Sequence, residues 1–263
     1  MDFPKKIRDL VGEQPYERNE VGMSSSDVLI FPDYVLKIQK QSAETDNEPA
    51  IVAWLNGCLP VPEIPAYEVE NGTAYTLMSK VRGRMLCDAE LMRDPQRVMD
   101  LAAEGLKRLW SVDIYDCPCR VSRLEERLKA ARYRVENGLV DTEDAEPETY
   151  GSNGFRDPME LVQWLEANRP AEDLVLTHGD YCLPNIFEEN GSISGLIDLG
   201  KMGPADRWQD VAICLRSLKA NFSGGFGGPV VFPEFEPSML LERLGIPMNV
   251  EKMRYYILLD ELC

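Results

Sequence analysis

Three polar side chains between positions 180 and 198 have the types and the order that phosphoryl transfer to a hydroxyl group requires. Asp180 precedes Asn185 by five residues, and Asp198 follows farther along the chain. One carboxylate can orient a hydroxyl and accept its proton, while an amide oxygen and a second carboxylate can hold Mg²⁺ on nucleotide phosphates. The set therefore indicates a magnesium-assisted kinase reaction.

An apolar run and a hairpin are predicted to position these side chains. Residues 174–176 are apolar and lead into a loop that carries His178 and Asp180. Asn190-Gly191 is the strongest short-range signal for a tight hairpin turn, and the second arm of this hairpin ends directly before Asp198. The candidate groups would thus lie at loop and strand ends beside a rigid ribbon.

Four stretches in a fixed order resemble one family. They read HGDYCLPN at 178–185, IDLGK at 197–201, ADRWQD at 205–210 and YYILLDEL at 255–262. A bare Asp-x-x-x-x-Asn spacing, shared with protein-kinase catalytic loops, occurs by chance in many chains. The ordered series is specific, and it resembles the aminoglycoside 3′-phosphotransferases. The resemblance implies a bilobal α+β protein-kinase-like fold, with a small N-terminal β-sheet lobe at 1–82 and a larger, mainly helical lobe at 83–263.

The same resemblance implies roles for the central residues. Asp180 would be the catalytic base, and Asn185 and Asp198 would ligate Mg²⁺, with ATP as the phosphoryl donor. His178 is the only histidine, so a multi-histidine metal site is excluded. A lone histidine could act as a general base by its pKa. Its place beside the catalytic loop favours a structural role, as does the position of Asp210.

The N-terminal lobe would bind the nucleotide. A strand is predicted around Lys37, and a helix over 46–56 carries Glu48 as its carboxylate partner. A lysine in a strand usually faces solvent, and the serine-rich loop at 22–27 is by itself an ordinary turn. The family position favours phosphate contacts for both, and a hinge that binds adenine. The residues implied are Lys37, Glu48, Met23, Ser24, Ser25, Met78, Ser79 and Val81.

Helices are further predicted over 96–110, over 121–137 and from Asp157-Pro158 onward. Caps are predicted at Asp206 and Asn249. These helices would form the scaffold of the C-terminal lobe.

Acidic segments would bind the aminoglycoside. Residues 141–148 read DTEDAEPE, a composition typical of a solvated loop, whereas the family places an acidic lid here. Acids also gather at the end of the last predicted helix, where the dipole makes each exposed negative charge cost about 0.3–1 kcal/mol. We expect a bound cation to stabilise them. The substrate-binding residues implied are Asp144, Glu146, Glu148, Lys201, Asp260, Glu261 and Cys263.

The bulk composition limits the partners. A net charge of −17 argues against a nucleic-acid partner and is compatible with a cationic small molecule, although many proteins are acidic for solubility alone. No apolar run predicts a membrane span or a secretory signal. The seven scattered cysteines fit a reducing cytoplasm.

Two other functions remain open from the sequence. A relative on the same fold could phosphorylate choline, a macrolide or a fructosamine. A catalytically dead nucleotide-binding module is the second alternative, and the presence of Lys37, Asp180, Asn185 and Asp198 together argues against it.

Overall fold

The computed structural model describes residues 3–18, 26–55, 57–143, 145–146, 148–152, 154–225 and 227–263. The α-helices of these residues are α1 Lys5–Val11, α2 Ala43–Trp54, α3 Pro95–Trp110, α4 Leu124–Glu136, α5 Pro158–Ala167, α6 Arg207–Phe222, α7 Pro237–Leu244 and α8 Val250–Asp260. The strands are β1 Glu17–Arg18, β2 Asp27–Ile30, β3 Tyr34–Lys40, β4 Ala66–Glu70, β5 Thr73–Ser79, β6 Arg84–Met85, β7 Leu174–Thr177, β8 Ile186–Glu189, β9 Ser192–Leu196 and β10 Gly203–Asp206.

The N-terminal strands form one antiparallel sheet in the order β1-β2-β3-β5-β4. Turns at Pro32-Asp33 and at Asn71-Gly72 join β2 to β3 and β4 to β5. Asn71 and Gly72 have φ values of 52° and 77°, as a type I′ hairpin turn requires. Lys37 lies on β3 opposite Thr76 of β5. The sheet therefore holds Lys37 between two hydrogen-bonded neighbours.

Helix α2 begins three residues before the predicted start. Ser42 caps it, since its hydroxyl accepts from the Thr45 N–H at 3.3 Å while the Thr45 hydroxyl accepts from the Ser42 N–H at 2.9 Å. This is a capping box with threonine in place of the usual Glu or Gln. Pro49 consequently lies inside the helix and not in its first turn. The predicted last residue, Asn56, lies outside the described residues.

A three-stranded sheet, β6-β8-β9, follows the first lobe. Gly83 precedes β6 with a φ of 100°, and a Cβ there would lie 2.1 Å from the Glu188 carbonyl oxygen. The buried Glu188 carboxylate accepts from Arg84 at 2.7 Å and from Arg97 of α3 at 3.0 Å. Glu188 of the β8–β9 hairpin thereby connects β6 to α3.

The predicted helices of the second half form, with one shifted boundary. Helix α3 starts within one residue of the prediction, capped by the Asp94 carboxylate. The predicted start of α4 at residue 121 is wrong, since the helix begins at Leu124. The Ser122 hydroxyl is bonded instead to the Pro204 carbonyl, which keeps the preceding residues in a turn. The caps predicted at Asp157, Asp206 and Asn249 are confirmed.

The buried apolar side chains form two clusters. The smaller lies between the N-terminal sheet and α1, and the larger fills the space around α3 and α6. Ile51 and Val52 of α2 belong to the larger cluster, so α2 packs on the helical half although it lies within residues 1–82. A lobe division at residue 82 stays a prediction. None of the helices among the described residues is long and apolar enough to cross a membrane.

Gly105 of α3 provides a test of this packing. Its absent side chain leaves room for Tyr181, whose hydroxyl donates to the Ala102 carbonyl at 2.9 Å, and a Cβ at residue 105 would lie 2.0 Å from that hydroxyl. Gly→Ala inside an open helix stabilises by about 0.5–1 kcal/mol. We expect Gly105→Ala to destabilise by about 1–3 kcal/mol in urea unfolding, because the core becomes overpacked.

The matched control for this substitution is Gly228→Ala. Apart from its two chain neighbours, no atom of the described residues lies within 4 Å of the position that a Cβ would take at residue 228, and the φ angle there is not positive. We expect a change within about 0.5 kcal/mol for this control. A stabilised Gly105→Ala variant would contradict the packing argument.

Candidate active site

Two antiparallel strands carry the candidate catalytic loop. β7 pairs with β10, and the Thr177 hydroxyl donates to the Gly203 carbonyl at 2.8 Å. The chain then leaves β7 at His178. The buried Asp210 carboxylate of α6 accepts from the backbone N–H of His178 at 2.6 Å and of Gly179 at 2.9 Å. Asp210 therefore has the anchoring geometry expected from its sequence position.

Burial raises the pKa of Asp210 to about 7, while the N–H donors of His178 and Gly179 oppose that rise. Gly179 has a φ of 87°, and a Cβ on it would lie 2.4 Å from the Lys201 carbonyl oxygen. Any side chain at residue 179 would thus clash with the segment after β9, so glycine is required at this position.

His178 joins the catalytic loop to the strand before Asp198. Its Nε2 lies 3.0 Å from the Ile197 carbonyl oxygen, and its Nδ1 accepts from the Asp180 N–H at 3.3 Å. Since a carbonyl can only accept, the proton is assigned to Nε2. Burial lowers the pKa of His178, so the ring is neutral. With both nitrogens engaged, the ring holds the loop in shape and does not serve as a general base.

Asp180 and Asn185 are joined directly. The Asn185 Nδ2 donates to the Asp180 carbonyl and to its Oδ2, each at 3.1 Å. The Ile197 N–H donates to the Asn185 carbonyl at 3.0 Å, which places Asn185 beside the end of β9. Because the amide nitrogen of Asn185 is engaged, its Oδ1 is the side-chain atom left to bind a ligand.

Asp198 follows β9 in the left-handed conformation, with φ 62° and ψ 56°. Its Oδ1 lies 2.7 Å from the Lys37 Nζ, and about half of its side chain is exposed. Partial burial raises the pKa of Asp198, but the Lys37 ammonium outweighs it, so the pKa lies below its ordinary value. The carboxylate is therefore ionised and accessible.

Lys37 also faces Glu48 of α2, at 3.7 Å from Nζ to Oε1. The predicted pairing of the two residues is thus present. Glu48 is buried, and it accepts from the Leu199 N–H at 3.0 Å. Burial lowers the pKa of Lys37, but Glu48 and Asp198 raise it above the ordinary value. Lys37 is a fixed cation between two carboxylates.

The donors present fit a magnesium ion. Asn185 offers an amide oxygen and Asp198 offers carboxylate oxygens, which are the hard ligands that Mg²⁺ prefers. Because the Asn185 Nδ2 donates to Asp180, the Asn185 Oδ1 remains available as a metal ligand. Asn185 directly precedes β8 and Asp198 follows β9, and the Ile197 N–H joins the two chain segments at the Asn185 carbonyl.

The candidate hinge lies at the end of β5. Met78 is buried, Ser79 is the last residue of the strand, and Val81 follows it. Within the described residues, the Val81 N–H and C=O make no backbone hydrogen bond. Gly195 of the hairpin packs on Val81, since a Cβ at residue 195 would lie 2.0 Å from Val81 Cγ1. The predicted phosphate-loop residues Met23, Ser24 and Ser25 lie outside the described residues.

The acidic tail has a cation that the sequence analysis missed. Arg216 of α6 pairs with Asp260, and it lies 3.5 Å from Glu261. Arg216 therefore already offsets part of their charge within the protein itself. Buried Arg127 lies 3.6 Å from Asp260 as well. The signal available in the sequence was an arginine among the apolar residues of α6.

The acidic loop reaches this tail. The Glu146 N–H donates to the Glu261 Oε2 at 3.3 Å, while Glu148 is exposed and Asp144 lies outside the described residues. Cys263 ends the chain beside the tail, partly buried. Burial lowers the pKa of Lys201, but Glu44, Cys263 and Asp260 raise it above the ordinary value. The structure thus brings most of the predicted substrate residues to one region.

Comparisons with known proteins agree with this geometry. Residues 16–231 match the model of the phosphotransferase enzyme family. An aminoglycoside 3′-phosphotransferase of Enterococcus faecalis is 36% identical over 263 residues, covering 98% of this chain and 89% of the relative. One of Staphylococcus aureus is 34% identical over 260 residues, covering 97% and 92%.

A solved structure shares the fold. Aminoglycoside phosphotransferase APH(3″)-Id from Streptomyces rimosus, in complex with ADP and streptomycin, has a TM-score of 0.78 and 25% identity, covering 98% of this chain and 96% of that chain. The expected kinase-like α+β fold is confirmed.

The neutral His178 generates a pH prediction. Its pKa is about 6.5 in the unfolded chain and lower in the folded protein, so the unfolded state binds more protons as the pH falls through 6.5. Stability contributed by this residue is present above pH 6.5 and is lost on acidification. We expect His178→Gln, whose amide nitrogen can still donate to Ile197, to reduce the stability loss between pH 7.5 and 5.5.

Urea unfolding of both proteins at the two pH values measures this difference. The carboxylates common to both proteins cancel in the comparison. Identical pH dependence would show that His178 is not held neutral by its burial.

Proposed function

The chain belongs to the phosphotransferase enzyme family, within its aminoglycoside 3′-phosphotransferases, and on that premise we propose that it transfers the γ-phosphoryl group of ATP to the 3′-hydroxyl of aminoglycosides such as kanamycin and neomycin. Such a reaction confers antibiotic resistance. Two contacts carry the proposal: Lys37 of the N-terminal sheet lies 2.7 Å from Asp198, and Asn185 donates to Asp180 at 3.1 Å.

Asp180 orients the acceptor hydroxyl and takes its proton. Its Oδ2 receives the Asn185 amide at 3.1 Å, which leaves Oδ1 to accept from the substrate. His178 and Asp210 fix the loop main chain on either side of Gly179. Catalysis then depends on position and charge, without a covalent intermediate.

Lys37 binds the nucleotide phosphates, and Glu48 holds Lys37 in place. Mg²⁺, when bound, would neutralise developing charge on the phosphates, with Asn185 and Asp198 as its ligands. Val81 binds adenine through its backbone groups, beside Met78 and Ser79. Met23, Ser24 and Ser25 are proposed to cover the phosphates, and residues 1–82 to form the nucleotide-binding lobe.

The acceptor site is proposed to lie between the acidic loop and the tail. Glu261, Asp260 and the end of the chain at Cys263 would meet the ammonium groups of the aminoglycoside, with Lys201 beside its hydroxyls. Asp144, Glu146 and Glu148 would form the lid. A net charge of −17 favours a cationic ligand over nucleic acid. A cytoplasmic location is proposed from the seven free cysteines.

An acceptor panel tests the function. ATP turnover is measured with aminoglycosides that carry the 3′-hydroxyl, with one that lacks it, and with choline and a macrolide. We expect turnover only with the first group, because the phosphoryl group goes to that hydroxyl. Equal turnover of the acceptor that lacks the 3′-hydroxyl would refute the proposed site of transfer.

Asp180→Asn is expected to lower kcat by about 10²–10⁴-fold.

Glu261 generates a prediction about the acceptor site. Burial raises its pKa, while Arg216 and the Glu146 N–H oppose that rise. Glutamine keeps an acceptor for Glu146 but loses the charge. We expect Glu261→Gln to raise the aminoglycoside KM by about tenfold or more, since hydrogen bonds to charged groups contribute about 1.5–3 kcal/mol.

The control is Glu251→Gln, which removes one exposed charge from the first turn of the same helix. We expect an unchanged KM for the aminoglycoside in this control, and an unchanged ATP KM in both variants. Parallel changes in the two variants would assign the effect to net charge and not to the pocket.

A further inference from the structure

Asn47 joins the two halves of the protein through its side chain. It lies on α2 and is 7% exposed. Its Nδ2 donates to the Gly200 carbonyl at 2.9 Å and to the Met202 carbonyl at 2.9 Å. Both acceptors belong to the short turn that follows Asp198. One primary amide thus uses both of its hydrogens on the segment that carries a proposed metal ligand.

The neighbouring residue of the helix completes this attachment. The Glu48 carboxylate accepts from the Leu199 N–H at 3.0 Å. Together, Asn47 and Glu48 bind main-chain groups of residues 199, 200 and 202. Gly200 has no side chain to separate the turn from α2, since a Cβ on it would lie 3.1 Å from the Glu44 carbonyl oxygen.

The opposite face of the same turn packs on the catalytic loop. A Cβ on Gly179 would lie 2.4 Å from the Lys201 carbonyl oxygen. The turn at 199–202 is therefore held between α2 on one side and the residue before Asp180 on the other. A shift of the turn would move Asp198 relative to Lys37, and the catalytic loop relative to both.

We propose that Asn47 is a positioning residue for phosphoryl transfer. By holding the turn after Asp198, it keeps Asp198 in the position from which Asp198 and Asn185 together would bind the metal–nucleotide complex. This inference rests on the proposed function for its role in turnover. Both amide hydrogens of Asn47 are used on main-chain carbonyls, so we assign it a role through the turn and not a catalytic one. Its chemistry requires two donors on one short side chain, and asparagine provides them, whereas an isosteric aspartate would set carboxylate oxygens against two carbonyl oxygens.

The test measures ADP binding by calorimetry with and without Mg²⁺, on the full-length protein and its Asn47→Ala and Asn47→Asp variants. The readout is the factor by which Mg²⁺ tightens ADP binding. We expect this factor to fall by about 10–100-fold in both variants, the loss typical when a group that orients metal ligands is removed. Metal-free ADP affinity is expected to stay within about twofold, because Lys37 and the hinge are unchanged.

Tyr255→Phe is the matched control. It removes another buried hydrogen bond to a main-chain carbonyl, from the Tyr255 hydroxyl to Leu165 O at 2.9 Å, within the helical half alone. We expect it to lower the melting temperature without changing the Mg²⁺ factor. An Asn47 variant that loses stability but keeps the wild-type factor would overturn the proposal, as would a wild-type protein whose ADP binding ignores Mg²⁺.

Two further arms complete the design. If Asn47→Ala does not fold, Asn47→Ser retains one donor and is expected to give an intermediate factor, and a wild-type factor in it overturns the proposal. Aminoglycoside turnover of the wild-type protein is measured separately. Its absence would refute the proposed function, while the Mg²⁺ factor would still decide the role of Asn47.

Discussion

The ammonium group of Lys37 is the contact on which the arrangement of the site depends. It lies 2.7 Å from Asp198 and 3.7 Å from Glu48, so a strand, a helix and the end of a hairpin converge on one charge. The Glu48 side chain is 3% exposed. Removing its partner Lys37 would therefore be strongly destabilising, since breaking a buried ion pair costs about 3–5 kcal/mol. The N-terminal sheet and the hairpin of the second half are therefore held together at the place where phosphates are proposed to bind.

A series of main-chain contacts connects the Lys37 site to the catalytic loop. Glu48 holds the Leu199 N–H, the turn after Asp198 packs on Gly179, and Asp210 accepts from the N–H groups of His178 and Gly179. Buried backbone groups need partners, and these supply them. The proposed base, Asp180, is thus placed by a loop whose main chain is fixed by hydrogen bonds within the protein.

Local chemistry explains which features the sequence could predict. Asn71-Gly72 and Asn190-Gly191 adopt positive φ, so both hairpins follow from residue type alone. The start of α2 was missed because Thr45 takes the capping role usually held by Glu or Gln. Arg216 and Asn47 were missed because their partners lie far away in sequence, where no local pattern connects them. The catalytic residues were found through the resemblance, and their roles remain proposals.

The compensated tail changes how an acceptor would bind. Acids at the end of α8 meet an unfavourable helix dipole, and Arg216 and Arg127 offset that charge in the free protein. Arg216 contacts Asp260 closely but reaches Glu261 only at 3.5 Å. An ammonium group that bound Glu261 would therefore displace less interaction with arginine than one that bound Asp260, although the Glu261 side chain is the less exposed, at 5% against 17%. In the proposed acceptor site, Asp260 would therefore chiefly fix the tail, and Glu261 would give it affinity for a cation.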